Sequence, residues 1–171
     1  MIALLLIVSQ TFAVDLSTMV GVAGTGPSTS VVAGRSGFGL GALLGWGVHP
    51  FFSLETGVLM LEHTLATGTT MSTYTMFDVP LMLRFSPISL VAVGAGVYYG
   101  YQSGFKTTRG PAVIGAVKDD YGAIFDASVR LPLAPLMKLR IDALYEYGFA
   151  QLANSFSSRN VSTFVGLMLD L

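Results

Sequence analysis

Apolar side chains alternate with small or polar ones from Tyr74 to Gln102, and this alternation limits what the chain can fold into. Every second residue from Phe77 to Phe85 is apolar, and so is every second residue from Val91 to Tyr101. The residues between them are largely small, and they include Asp78 and Arg84. A period of two over this length predicts two β-strands rather than a helix. One apolar face and one small-and-polar face are typical of strands that cross a membrane as part of a barrel.

The composition agrees with a chain that spans a membrane through strands. Of the 171 residues, 52% are hydrophobic and only 11% are charged, whereas about a quarter is usual in soluble domains. No run of about 18 uninterrupted apolar residues follows the N-terminus, so we expect no transmembrane helix. The net charge of −1 gives no reason to expect nucleic acid as a partner. The absence of cysteine excludes disulfides and thiolate metal sites.

Residues 1–13 are predicted to be a secretory signal peptide, and residues 14–171 to form one barrel domain. Ile2–Val8 is a short apolar core, and Thr11–Ala13 supplies small residues before a cleavage point. The basic residues that usually precede such a core are missing, which makes this n-region atypical. An apolar first strand is the alternative.

The same alternation recurs along the rest of the chain, separated by turns and polar loops. It predicts strands over residues 15–24, 35–48, 51–63, 74–85, 90–102, 119–131, 136–149 and 160–171. Short turns, such as Ser86–Ile88, alternate with longer polar connections, of which Ser103–Lys118 is the longest. This is the pattern of bacterial outer-membrane barrels. We therefore predict an all-β, eight-stranded, antiparallel up-and-down transmembrane barrel with both termini in the periplasm.

Ten charged residues of the predicted strands share the glycine-bearing face. Nine of them are Glu55, Asp78, Arg84, Asp126, Arg130, Lys138, Arg140, Asp142 and Glu146, and Asp170 is a tenth. The lumen of an eight-stranded barrel is only just wide enough for side chains to fill it, so the bulky apolar face should point outward. We predict that the nine form a polar network of ion pairs that fills the lumen. A narrow pore lined by the same charges is one alternative, and a soluble ligand-binding barrel with its faces reversed is another.

Aromatic residues cluster near both ends of the predicted strands. Trp46, Phe52 and Phe85 fall at the short-turn end, whereas Tyr99, Tyr101, Tyr121, Tyr145, Tyr147 and Phe149 fall at the long-loop end. Aromatic belts at two interfaces are typical of proteins that span a bilayer. One residue does not fit the pattern. Pro80 lies in the middle of a predicted strand and forfeits a ladder hydrogen bond, so we expect a bulge or local irregularity there.

Two segments carry a resemblance to a known family. DVPLMLRF, a short turn and VAVGAGVYYGY resemble the small outer-membrane β-barrel domains that include PorT-like proteins. RIDALYEYGFAQL and NVSTFVGLMLDL resemble the last hairpin of that family, and the motifs are shared loosely with OmpA- and OmpX-like barrels. The resemblance implies a bacterial outer-membrane location, insertion by the barrel-assembly machinery, and no catalytic residues. Leu171 stands where such barrels commonly end in phenylalanine.

The sequence offers no strong candidate for catalysis, a metal or a cofactor. His49 and His63 are isolated and lack the spacing of metal ligands. An enzyme at the outer rim would need a histidine with partners, and His63, Glu62 and Ser72 are the residues near enough in sequence. We expect instead that His49 is simply a turn residue and that His63 lies at the rim of the barrel.

The predicted function is therefore non-enzymatic. We expect an integral outer-membrane protein that is anchored in lipid and interacts through its extracellular loops. Lys106 and Arg109, in the longest predicted loop, are candidates for contacts with the phosphates of lipopolysaccharide. A small pore or a channel for hydrophobic solutes is the alternative function.

Overall fold

The chain folds, in a computed structural model, into eight antiparallel strands that close into a single barrel. The structure describes residues 13–25, 33–67, 70–109, 119–149 and 158–171. The strands are β1 (Val14–Thr25), β2 (Ala33–His49), β3 (Phe52–Thr67), β4 (Thr70–Ile88), β5 (Val91–Arg109), β6 (Asp120–Ala134), β7 (Met137–Gly148) and β8 (Arg159–Asp170). Within these ranges no helix is long and apolar enough to cross a bilayer. The predicted signal peptide lies, except for Ala13, outside the described residues.

Each strand pairs with its neighbour in sequence, and β8 pairs with β1 to close the barrel. The seam between β1 and β8 runs from Asp15 opposite Asp170 to Thr25 opposite Asn160. The backbone N–H of Leu171 also donates to the carbonyl of Val14 at 2.8 Å. Closure leaves no open sheet edge along this seam, which would otherwise expose unpaired backbone groups. The predicted fold class and strand number are confirmed.

Several strands continue further toward the long-loop end than the alternation predicted. β3 runs to Thr67 and β4 starts at Thr70, so most of the polar segment between His63 and Thr73 is strand rather than loop. β5 continues to Arg109, through the first part of the predicted loop Ser103–Lys118. The remainder of that loop, residues 110–118, lies outside the described residues. These segments are rich in threonine, which favours strands, but they have no apolar face and so carry no sequence signal of period two.

The turns at the opposite, short-turn end are also shifted along the chain. Ile88 still pairs with Val91, so the turn between β4 and β5 consists of Ser89 and Leu90 rather than Ser86–Ile88. The turn between β6 and β7 consists of Pro135 and Leu136. Pairing next to both turns is irregular, with register shifts between Phe85 and Ile88 and between Pro132 and Ala134.

The sheet has a local irregularity at Pro80, as the sequence predicted, and no bulge. The ladder between β3 and β4 lacks pairs at Gly57 and Val58, opposite Pro80 and Val79, yet the register is the same on both sides of this gap. The hydroxyl of Thr56 donates to the carbonyl of Pro80 at 2.6 Å. On its other side Pro80 pairs with Tyr98 in unbroken register. The irregularity is therefore confined to these two pairs, and the hydroxyl of Thr56 bonds to the β4 backbone beside the missing donor.

Candidate functional site

The outer wall of the barrel is apolar, and the charged residues of its central part point inward. Leu81 and Val93 are each 49% exposed and Ile141 is 36% exposed, whereas Arg84 and Arg140 are fully buried. This arrangement is the reverse of a soluble barrel, which hides its apolar residues and exposes its charges. The apolar face therefore points outward and the charged face inward, as the sequence predicted. An outer wall of this composition can be surrounded by hydrocarbon.

Aromatic side chains lie on this outer wall near both ends. At the short-turn end the rings of Phe52 and Phe85 lie 5.2 Å apart. At the long-loop end Tyr99 pairs with Tyr121 across β5 and β6, and the ring of Phe149 lies 6.3 Å from that of Tyr121. Further members of the two groups, on the same outward face, are Trp46, Tyr101, Tyr145 and Tyr147.

Inside the barrel, near the short-turn end, five charged residues form an ionic layer that we define as Glu55, Arg84, Asp126, Arg140 and Asp142. Arg84 donates from Nη1 to both oxygens of Glu55, at 2.7 and 2.9 Å. Its Nη2 lies 2.5 Å from Asp126 and also bonds to Ser128. Both side chains of the Arg84–Glu55 pair are at most 1% exposed. Burial of such charges is tolerated only when they are paired and hydrogen-bonded.

Arg140 holds the other side of the ionic layer. It donates to both oxygens of Glu55, at 2.6 and 2.9 Å, and from Nε to both oxygens of Asp142, at 2.9 and 2.8 Å. A further bond from Nη1 reaches the hydroxyl of Ser17 on β1 at 3.0 Å. Glu55 is thus clamped between two guanidinium groups, and the layer ties together strands from opposite sides of the barrel.

Above the ionic layer the lumen is filled by an apolar layer, which sequence reasoning missed. Its main members are Leu43, Leu59, Leu61, Met82, Ile124, Leu144 and Phe164, all buried. The inward residues of β4 run from Arg84 through Met82 to Asp78, and β7 repeats this order from Asp142 through Leu144 to Glu146. Glycines make room for the largest member, because a Cβ on Gly39 would lie only 2.8 Å from the ring of Phe164.

Beyond the apolar layer lies a second polar group, the outer acidic cluster, formed by Asp78, Asp120 and Glu146 on the inward faces of β4, β6 and β7. Asp78 and Asp120 each pair with Gly100 of β5. All three carboxylates are at most 2% exposed. Asp120 accepts a hydrogen bond from the hydroxyl of Tyr98 at 2.8 Å and another from Ser158. Asp120 was not among the predicted site residues, although its position two residues before Gly122 on β6 places it on the inward face.

The nine predicted lumen charges therefore do not form one network. Five make up the ionic layer, while Asp78 and Glu146 are separated from it by the apolar layer. Lys138 pairs instead with Asp170 at 2.7 Å, in a partly exposed position. Arg130 is buried and makes no ion pair with the described side chains.

Two of the three candidate enzyme residues, His63 and Glu62, lie on opposite faces of β3. His63 is buried and stacks on Tyr74 with ring centroids 5.1 Å apart. Glu62, its neighbour on β3, is exposed on the opposite face, and the side chain of Ser72 lies outside the described part of the structure. His49 is exposed beside the turn between β2 and β3. No three His, Cys, Asp or Glu residues in the described ranges are grouped so as to hold a metal ion.

The two candidate loop residues lie on the extended end of β5. Lys106 is exposed and pairs with Thr73 of β4. Arg109 is the last residue of β5 and pairs with Met71, and its side chain lies outside the described part.

A closed eight-stranded barrel with an apolar wall and a filled polar interior is the architecture of small outer-membrane barrel proteins, and solved structures of that class share this fold. OprG from Pseudomonas aeruginosa matches with a TM-score of 0.65 and 12% identity, over 94% of this chain and 97% of its own. The outer membrane protein AlkL, solved in DMPC lipid bilayers, matches with a TM-score of 0.55 and 12% identity, over 94% and 90%.

Ail, the attachment invasion locus protein of Yersinia pestis, solved with the heparin analogue sucrose octasulfate, matches with a TM-score of 0.51 and 12% identity, over 93% of this chain and 100% of its own. No protein-family model and no curated protein matches the sequence. The likenesses therefore establish the fold, and membership of the PorT-like group is not shown.

Proposed function

We propose that the chain is an integral barrel of the bacterial outer membrane whose lumen does not conduct and whose long-loop end is an interaction surface. The observation that carries the proposal is the reversed distribution of side chains, with apolar residues outside and ion pairs inside. In a bilayer core every backbone polar group must be satisfied internally, and a closed barrel meets that requirement. A charge on the lipid side would be costly, and the charges of the ionic layer are all inside.

Two further features support an outer-membrane location. The aromatic groups at both ends of the wall match the belts that anchor proteins at membrane interfaces. The paired ends Val14 and Leu171 lie at the short-turn end, which faces the periplasm in bacterial barrels with short periplasmic turns. Residues 1–13 would then serve as the signal for export, and the barrel-assembly machinery would insert the folded chain.

The lumen is blocked twice, by the ionic layer and by the apolar layer. Arg84, Arg140 and Phe164 are among the largest fully buried side chains in the described structure. An ion would have to disrupt the charge-assisted hydrogen bonds of the first layer and then cross the dry side chains of the second. A filled lumen is normal for eight strands.

Single-channel recording on the refolded protein in a planar bilayer tests this directly. We expect no steady openings, with a porin refolded in the same way as the positive control. Reproducible, steady conductance steps would contradict the closed lumen and favour the small pore instead.

The interaction surface would be the raised sheet, which we define as residues 63–67 of β3, 70–76 of β4 and 102–109 of β5. β4 and β5 each have 19 residues, whereas a tilted crossing needs about 9–11. The surplus residues pair beyond the aromatic belt and carry polar side chains, such as Thr64 and Thr73, whose hydroxyls lie 3.1 Å apart. A paired sheet holds its polar residues in place at low entropic cost, which suits recognition.

Lipopolysaccharide is the partner that we propose for the basic residues of this sheet. Changing Lys106 and Arg109 together to glutamine should weaken binding of purified lipopolysaccharide by about 1 kcal/mol per charge, because each cation can approach a phosphate. Surface plasmon resonance on the immobilised, refolded barrel measures this. Lys138→Gln, at the short-turn end, should leave binding unchanged, and equal affinities in all three proteins would rule out the proposed contact.

A further inference from the structure

The outer acidic cluster has three buried carboxylates, and none of them forms an ion pair with a described residue. No described salt bridge reaches Asp78, Asp120 or Glu146. Asp78 is 1% exposed, and neither of its carboxylate oxygens has a hydrogen-bond partner. Asp78 on β4 and Asp120 on β6 face the lumen on either side of Gly100, with which each of them pairs. Three like charges in a buried site strongly disfavour one another unless something neutralises them.

The arginines of the lumen do not provide that neutralisation. Arg84 and Arg140 are committed to Glu55, Asp126 and Asp142 in the ionic layer. The apolar layer, with Met82 and Leu144, separates them from the outer acidic cluster on β4 and β7. The cluster therefore lies on the long-loop side of the apolar layer, separate from the ionic layer.

A neutral side chain independently points to a missing hydrogen-bond donor in the same place. Asn160 is 6% exposed, and its amide nitrogen donates to Oε2 of Glu146 at 3.2 Å. That orientation leaves its oxygen, Oδ1, buried without any donor. Oε1 of Glu146 is also without a partner. Together with the two oxygens of Asp78, this gives four buried acceptors without a donor, although buried polar atoms are almost always satisfied.

Two glycines leave room for the carboxylates of the cluster. A Cβ on Gly100 would lie 2.2 Å from Oδ1 of Asp78, and a Cβ on Gly148 would lie 2.6 Å from Oδ2 of Asp120. Any larger residue at either position would push a carboxylate away. The carboxylates of Asp78 and Asp120 therefore occupy space that only a glycine at positions 100 and 148 leaves free.

We propose that the outer acidic cluster is a binding site for a primary ammonium group, entering from the long-loop end. An ammonium group offers three N–H donors and one positive charge, which matches a group of buried carboxyl and amide oxygens that lack donors. A metal ion fits less well, because the described acids are not grouped as metal ligands. The site is distinct from the raised sheet and does not depend on the proposed surface interaction.

Thermal unfolding of the refolded barrel in detergent tests the site, with methylammonium as the probe and constant ionic strength kept with KCl. We expect the unfolding midpoint of the wild-type protein to rise by several degrees and to saturate with methylammonium concentration. Tetramethylammonium, which has the charge but no N–H donor, should produce no such rise. Asp78→Asn and Glu146→Gln should unfold at a higher midpoint without the probe, because each removes a like charge, and should lose the response.

Asp170→Asn is the matched control, because it makes the same chemical change at the acid that Lys138 neutralises. It should respond to methylammonium as the wild-type protein does. The proposal is overturned if methylammonium has no effect on the wild-type protein, if tetramethylammonium or added KCl has the same effect, or if Asp78→Asn and Glu146→Gln keep the full response. Heat-modifiable gel migration establishes that each variant is folded, and two separate variants guard against a failure of one to fold.

Discussion

Replacing Arg140 with leucine should lower the free energy of unfolding by about 3–5 kcal/mol, the range found when one partner of a buried ion pair is removed. Arg140 supplies the charge-assisted hydrogen bonds to Glu55 and Asp142 and one bond to Ser17. Without it the ionic layer would retain Arg84 as the one cation among the residues that define it, facing three buried carboxylates. Urea titration of the barrel refolded in detergent or lipid, followed by gel migration, measures the loss.

Lys138→Leu is the control for this experiment. Lys138 lies two residues away on the same face of β7, and its pair with Asp170 is partly exposed, with side chains 27% and 33% accessible. Exposed pairs contribute about 0–1 kcal/mol, so the control variant should be close to wild type. If both variants lost the same amount of stability, the buried ion pairs of Arg140 would contribute no more to the free energy of unfolding than an exposed pair.

Replacing Leu81 with arginine should cost about 2–4 kcal/mol in a lipid bilayer, the penalty for a cation that faces hydrocarbon near its midplane. Leu81 lies on the outer wall in the middle of β4, is 49% exposed, and pairs with Thr56 and Val97. The arginine would have no partner and no water around it. Folding titrations in lipid vesicles measure this cost.

Leu133→Arg provides the matched substitution at a different depth. Leu133 is 53% exposed, beside the turn between β6 and β7, where the penalty should fall to about 0–1 kcal/mol as the charge reaches the interface. If Leu81→Arg left the free energy of unfolding in lipid unchanged, this part of the wall would not face hydrocarbon. The membrane placement would then have to be abandoned.

The direction of each side chain could be predicted because strand geometry makes it a local property. Successive residues point to opposite faces, so Leu81 outside and Arg84 inside follow from counting along one strand. Strand number followed from the spacing of turns. The extensions of β3 and β5 were missed because their threonine-rich residues, such as Thr64 and Thr107, have no apolar face to reveal a period of two.

Depth within the lumen, in contrast, does not follow from alternation. Asp78 and Arg84 share one face of β4, and nothing in their spacing shows that an apolar layer separates their environments. That layer is assembled from residues such as Leu59 and Phe164, on different strands. The pairing of Glu55 with Arg140 likewise depends on contacts across the barrel. To predict such contacts one must know both the register and the tilt of the strands, and a single sequence gives neither.

The seam between β1 and β8 has a consequence for how the molecule is made. Its hydrogen bonds join the first described strand to the last, so they can form only after every intervening hairpin has been synthesised and delivered. Contacts this distant in sequence are slow to form, since the chain must lose loop entropy before gaining them. Until then β1 presents a free edge that invites pairing with a foreign strand. A nascent chain of this kind therefore needs protection until its final strand arrives.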